Sequence, residues 1–97
     1  MKYRLLSPAA IEIEEAVLYY ESKEPGLGNE LLIEYEKALS HICLFPKAWS
    51  IIGENEIRRC LLERFPYCIL YSIIKTEIVI CAFMHLHREP DYWKNRL

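Results

Sequence analysis

The sequence predicts an α+β fold in the order β-α-α-β-β-β, a helical hairpin packed on one side of a mostly antiparallel sheet. Three observations carry that expectation. Residues 13–42 repeat apolar side chains at helical spacing and are broken once, at Glu24-Pro25-Gly26. From Glu56 onward the pattern changes to β-branched and aromatic runs of strand length. The chain has 97 residues and no repeat, low-complexity stretch or linker, so it is expected to form one domain, residues 1–97.

Each element follows from local chemistry. Lys2–Leu6 is a short strand, stopped by Ser7-Pro8, which reads as an N-cap with proline at the first helical position. Glu12, Glu14 and Glu15 lie early in the first helix, where acids suit the positive end of its dipole. Ile13, Ala16, Val17 and Tyr20 form its apolar stripe. After a turn at Gly26-Leu27-Gly28-Asn29, the residues Leu31, Leu32, Tyr35, Ala38, Leu39 and Ile42 mark a second helix, which ends where Pro46 restricts Phe45. Pro46–Asn55 is irregular. Glu56–Leu62 is the second strand, Phe65-Pro66 a turn, Tyr67–Ile74 the third strand, Lys75-Thr76 a tight hairpin and Glu77–His85 the fourth strand. The tail His87–Leu97 is polar apart from Tyr92 and Trp93.

Strand parity gives the sheet two apolar faces. In the fourth strand Ile78, Ile80, Ala82 and Met84 alternate with Val79, Cys81 and Phe83; in the third, Tyr67, Ile69, Tyr71 and Ile73 oppose Cys68, Leu70 and Ile74. Two helices cover one face. The other must be covered by the Phe45–Ile52 segment with Trp49, Ile51 and Ile52, by the tail, or by another protein chain, because a large uncovered apolar patch is a liability.

Composition excludes several classes. An apolar share of 53% with 27% charged residues describes a globular core and not a disordered chain. No apolar run reaches the ~18 residues of a membrane span, and the start of the sequence is too short in apolar length for a signal peptide, so a cytoplasmic protein without membrane contact is expected. Residues 1–56 carry five basic side chains against ten glutamates, net −5, while residues 57–97 carry seven basic against four acidic, net +3. A pI near 5.9 argues against a general nucleic-acid coat. Cys43, Cys60, Cys68 and Cys81 form no close pair and have apolar neighbours, so they read as small buried hydrophobes and not as metal ligands. Cys60 and Cys68 could face each other across a hairpin, but a structural disulfide is unusual inside a cell. No cofactor motif is present.

One set of residues resembles a known family. Ala16-x-x-Tyr19-Tyr20-Glu21 and Gly26-Leu27-Gly28 are followed by Ile57-Arg58-Arg59-x-Leu61-Leu62-x-Arg64-Phe65-Pro66-Tyr67-x-Ile69-x-Tyr71, then by His85-x-x-Arg88-x-Pro90-x-Tyr92-Trp93-x-x-Arg96. In that order they resemble the ParE/RelE superfamily of bacterial toxins, over nearly the whole chain and nearer to the ParE branch. The resemblance implies a β-α-α-β-β-β fold and a toxin of a type II toxin–antitoxin, or plasmid stabilisation, module. It implies a cognate antitoxin that lays apolar anchors along the helical hairpin and adds chain at the sheet. For the ParE branch it implies inhibition of DNA gyrase; for the RelE branch, cleavage of mRNA on the ribosome. An inactive relative that only holds an antitoxin also fits, and the isolated chain is a candidate homodimer.

Cleaving RNA through its 2′-hydroxyl needs a base, an acid and a cation on one face. His85 and His87, two residues apart, with Arg88 and Tyr92, are the candidates for that alternative, with Arg58 or Arg59 within reach. The competing reading of the histidines is structural or solvated. Arg58, Arg59 and Arg64 either pair with Glu54, Glu56 or Glu63 on an exposed edge or contact the target or antitoxin. Tyr67, Tyr71, Trp93 and Arg96 complete the partner-binding candidates, although Tyr92 and Trp93 also suit packing of the tail onto the sheet.

Overall fold

A computed structural model describes all of residues 1–97, in the element order β1 (Lys2–Leu5), α1 (Ser7–Lys23), α2 (Leu27–Leu44), β2 (Arg58–Leu61), β3 (Tyr67–Ile74) and β4 (Glu77–His85). Single 3₁₀ turns span Glu54–Glu56 and Lys94–Arg96. The strands form one sheet in the order β1-β4-β3-β2, parallel only between β1 and β4. The β2–β3 and β3–β4 pairs are antiparallel. The fold class and element order are those expected, and β3 and β4 keep their expected ends. β2 is shorter than the Glu56–Leu62 run, because the 3₁₀ turn takes up Glu56.

The start of α1 differs from expectation by one residue. Leu6 is the N-cap, Ser7 is already helical, and no side chain caps the helix, so Pro8 sits in the second helical position. The first turn accordingly holds no acid. The break at Gly26 is as expected: φ there is 90°, a conformation natural only to glycine in an uncapped turn. The Glu21 carboxylate accepts from the Gly26 and Gly28 amides at 2.9 and 3.1 Å, which ties the end of α1 to the start of α2. Gly28 lets the two helices meet. A Cβ at this position would lie 2.5 Å from the Val17 carbonyl oxygen.

The main core lies between the hairpin and one face of the sheet. Ala9, Ile13 and Ala16 of α1 and Leu31, Tyr35, Leu39 and Ile42 of α2 pack on Ile69, Tyr71, Ile78, Ile80 and Phe83. A second cluster, Ile57, Cys68, Leu70, Cys81, Ala82 and Trp93, closes the opposite face. Strict alternation misplaces three residues of β4, Ala82, Phe83 and Met84, in this arrangement. The pairing steps from Leu70–Ala82 to Tyr71–Ile80, so Cys81 is an extra residue in the ladder, a bulge that inverts the parity beyond it. Ala82 thus joins the far face, with Met84 packed beside it, and Phe83 turns to the helices. The Cys81 thiol donates to the Leu70 carbonyl at 3.3 Å within the bulge.

The far face is covered by this chain. Trp93 and Tyr92 of the tail lie over one end, and the turn before β2 covers the other, where Ser72 Oγ donates to the Asn55 carbonyl at 2.7 Å. The two covers adjoin at Gly53, whose Cβ position is 3.7 Å from the Trp93 ring. Of the three covers the sequence left open, the tail is the one found here, and this face needs no other protein. Trp49 does not serve here: it packs with the main core, edge-on to Tyr71, while Ile51 and Ile52 stay exposed. Cys60 and Cys68 lie on opposite faces, and all four cysteines are free thiols.

Two outcomes follow for stability. Gly28→Ala should destabilise the fold by roughly 1–3 kcal/mol through forced separation of the helices, whereas Gly53→Ala, in extended backbone with ordinary contacts, should be near neutral; equal urea midpoints for the two variants would contradict the crossing. Burial raises the Cys60, Cys68 and Cys81 thiols from 9.0 to about 11 and the Tyr35 and Tyr71 hydroxyls from 10.0 to about 12. Their stabilising contribution is complete below pH 9 and is lost as pH rises from there through 12, because the unfolded chain gives up these protons first. A pH series of denaturant melts should show the loss beginning near pH 9.

Candidate functional site

Three regions bring polar or exposed apolar groups together. The first is a groove of about 390 Å³ between α2 and the β2–β3 connection. The Glu34 carboxylate accepts from the backbone N–H groups of Glu63 and Arg64 at 2.7 and 3.0 Å, fixing that connection against the helix. Arg64 reaches across to Glu30 at 3.1 Å and covers the Phe65 ring. Ile33 and Leu61 line it as exposed apolar residues, together with Lys37 and His41. On the outer side of the hairpin, Ile11, Leu18 and Tyr19 of α1 are 56%, 62% and 54% exposed.

The second region is centred on Glu12, a carboxylate only 8% exposed. It accepts from Arg96 in bidentate fashion at 2.8 and 3.1 Å, from Arg88 at 3.3 Å and from the backbone N–H of Phe83 at 3.1 Å. Arg96 also donates to the Cys81 carbonyl at 2.9 Å. The last bond from the β1 segment to β4 is Leu6 N–H to the Ile80 carbonyl, so these side chains satisfy β4 where β1 no longer reaches. The Tyr92 ring lies 3.7 Å from the Arg88 guanidinium and 4.9 Å from that of Arg96. Its hydroxyl is buried without meeting hydrogen-bond geometry to any acceptor. Burial, then the adjacent Glu12 carboxylate, pushes its pKa up, and Glu12 likewise raises that of Arg96. Glu12 was masked in the sequence by Glu14 and Glu15, which are exposed; its spacing from Ala9, Ile13 and Ala16 places it on the buried stripe.

The third region is a row of aromatic rings at the end of the sheet. Tyr67 stacks on Phe83 at 4.8 Å and meets Tyr20 and His85 edge-on. His87 follows at 5.3 Å from His85, brought there by a turn after β4 in which the His87 amide donates to His85 Nδ1 at 3.0 Å. Burial, then the neighbouring tyrosines, raises the Tyr67 pKa.

The candidate residues thus divide. His85 and His87 meet each other, but Arg88 pairs with Glu12 and lies over the Tyr92 ring, and Arg58 donates to the Trp49 and Lys47 carbonyls at 2.7 and 3.3 Å. The shared strand face expected for the histidines is absent, since β4 ends at His85. Arg64 pairs with Glu30 and not with Glu54, Glu56 or Glu63; Arg59 is exposed on β2. Tyr71 is fully buried, donating to the Pro46 carbonyl at 2.6 Å, and Trp93 is buried in the far-face cluster, so neither side chain lies open at the surface of this chain. Arg96 is turned inward by Glu12. Tyr67 is half-buried in the aromatic row. No group of histidine, cysteine and acidic side chains is arranged to hold a metal ion, and no helix is long and apolar enough to cross a membrane.

No known protein family matches the sequence, and no curated protein does. Solved structures do. A chain described as belonging to the chromosomal ParDE TA system from P. aeruginosa is similar to this one with a TM-score of 0.67 at 14% identity, over 90% of this chain and 97% of that one. The protein has a ParE-like fold.

Arg96→Ala leaves Glu12 with Arg88 as its only charged partner and frees the Cys81 carbonyl. It should destabilise the protein by roughly 2–3 kcal/mol. Arg64→Ala, at an exposed pair, should cost less than about 1 kcal/mol. Denaturant melts of the two variants check the ranking, and equal losses would contradict the account of Glu12.

Proposed function

We propose that this protein is the toxin of a type II toxin–antitoxin module of the ParE kind. It acts by binding DNA gyrase, without chemistry of its own, and is neutralised by a small cognate antitoxin. The observation that carries the reading is the correspondence of fold along 90% of the chain with a member of a ParDE system. The dispersal of the nuclease candidates supports it further. RNA cleavage needs its base, acid and cation together, and here Arg88 and Arg96 are paired with the Glu12 carboxylate while the His87 ring is exposed.

The antitoxin takes the outer side of the hairpin and the groove beside α2. Ile11, Leu18, Ile33 and Leu61 are large apolar groups left exposed there, which is the pattern an amphipathic or extended partner segment covers. This reading no longer depends on an open sheet face.

The purified protein should inhibit supercoiling by purified gyrase, and addition of the product of a small neighbouring reading frame should relieve the inhibition. Unchanged supercoiling together with mRNA cut at the ribosomal A site, lost in His87→Ala, would replace gyrase with the ribosome as target. A lack of any growth defect on expression would mark an inactive antitoxin-binding relative. Leu18→Glu should weaken antitoxin binding at least about thirtyfold, the scale of a buried interface anchor, with an unchanged melting curve; unaltered affinity in calorimetry would move the antitoxin elsewhere.

A further inference from the structure

The tail beyond β4 is attached to the body differently from every other segment. Leu86 N–H donates to the Pro66 carbonyl, and this is the last backbone bond from the tail to the rest of the protein. Beyond it the tail's backbone bonds are internal or to the strand end it leaves: Arg88 to His85, Lys94 to Asp91 and Arg96 to Trp93. What holds the tail down is side chains alone. Trp93 and Tyr92 lie on the far-face cluster, while Arg96 and Arg88 grip Glu12. The closed arrangement also buries the Tyr92 hydroxyl beside the Glu12 carboxylate and holds Asp91 at φ 72°, a left-handed conformation that aspartate adopts more readily than most non-glycine residues.

We propose that residues 88–97 form a strap that opens as a unit while the sheet and hairpin stay folded, with Glu12 as its latch. Apart from the local turn bond from Arg88 N–H to the His85 carbonyl, no backbone bond joins strap and body, so the sheet ladder survives opening. Only the Glu12 cluster and the Trp93 contact are lost. It also releases two groups of β4, the Cys81 carbonyl from Arg96 and the far-face side chains from Trp93. Glu12 is a positioning residue here. Protruding from α1, it holds both the Phe83 amide and the two tail arginines, and so couples the strap to the helical hairpin.

The cysteines report the motion directly. Cys68 and Cys81 lie under the strap, while Cys60 is buried on the opposite face under the helices. All three thiols are raised to about 11, so none reacts appreciably without an opening. The experiment is residue-resolved labelling with N-ethylmaleimide, read by mass spectrometry, on the intact chain and on Glu12→Gln. The variant is expected to label Cys68 and Cys81 about tenfold faster than the native protein, with Cys60 unchanged. Equal acceleration at Cys60 would mean global unfolding and would overturn the strap; so would unchanged rates at Cys68 and Cys81. Should Glu12→Gln fail to fold, the native chain in sub-denaturing urea supplies the same test. Labelling of Cys68 and Cys81 then responds weakly to urea and that of Cys60 steeply, whereas a common steep response would overturn the proposal.

Discussion

A sheet with two apolar faces and helix enough for one is the constraint around which this molecule is arranged. β3 and β4 place fully buried side chains on both sides, Ile69, Tyr71, Ile78 and Ile80 toward the hairpin and Cys68, Leu70, Cys81 and Ala82 away from it. Burying that second set is worth about 25 cal/mol for each Å² removed from water, and the chain secures it by folding the turn before β2 and the tail back over the sheet. The tail has no strand or long helix of its own with which to dock. It is therefore fastened by a ring, Trp93, and by a buried ion pair, Glu12 with Arg96.

That solution directs the exposed apolar surface elsewhere. With the sheet closed on both sides, large apolar groups stay uncovered on the helices and the sheet edge, among them Ile11, Leu18 and Tyr19 on α1, Ile33 on α2 and Leu61 at the end of β2. They lie along the outside of the hairpin and in the groove where Glu34 holds the amides of the β2–β3 connection. A binding function suits such a surface better than a catalytic one, because the cationic groups near the end of β4 are spent on holding the tail in place.

Much of the fold was legible in the sequence, since its period changes sharply. Helical spacing from Ile13 to Ile42 and the run of β-branched residues after Glu56 identify the elements, and Gly26 and Pro46 end the helices where they were expected to. Three features were not legible, each because a tertiary contact decides it. The bulge at Cys81 depends on the pairing of two strands, and no periodicity within one strand reveals it. The role of Glu12 depends on arginines 76 and 84 residues away. Tyr71 was a partner-binding candidate as part of the family-like stretch; its side chain is buried and its hydroxyl donates to the Pro46 carbonyl just past the end of α2. The family likeness in the Arg58–Tyr71 and His85–Arg96 stretches pointed to function residues, and Tyr92, Trp93 and Arg96 among them also build the far-face cover.

The measurement closest to the heart of this account is an NMR study of the isolated chain at low concentration, recording contacts between the Trp93 indole and the methyl groups of Leu70 and Ala82. The account requires strong contacts within a single monomer. A Trp93 ring free in solvent, with the same methyl groups touching a second copy, would show that another molecule and not the tail closes the sheet.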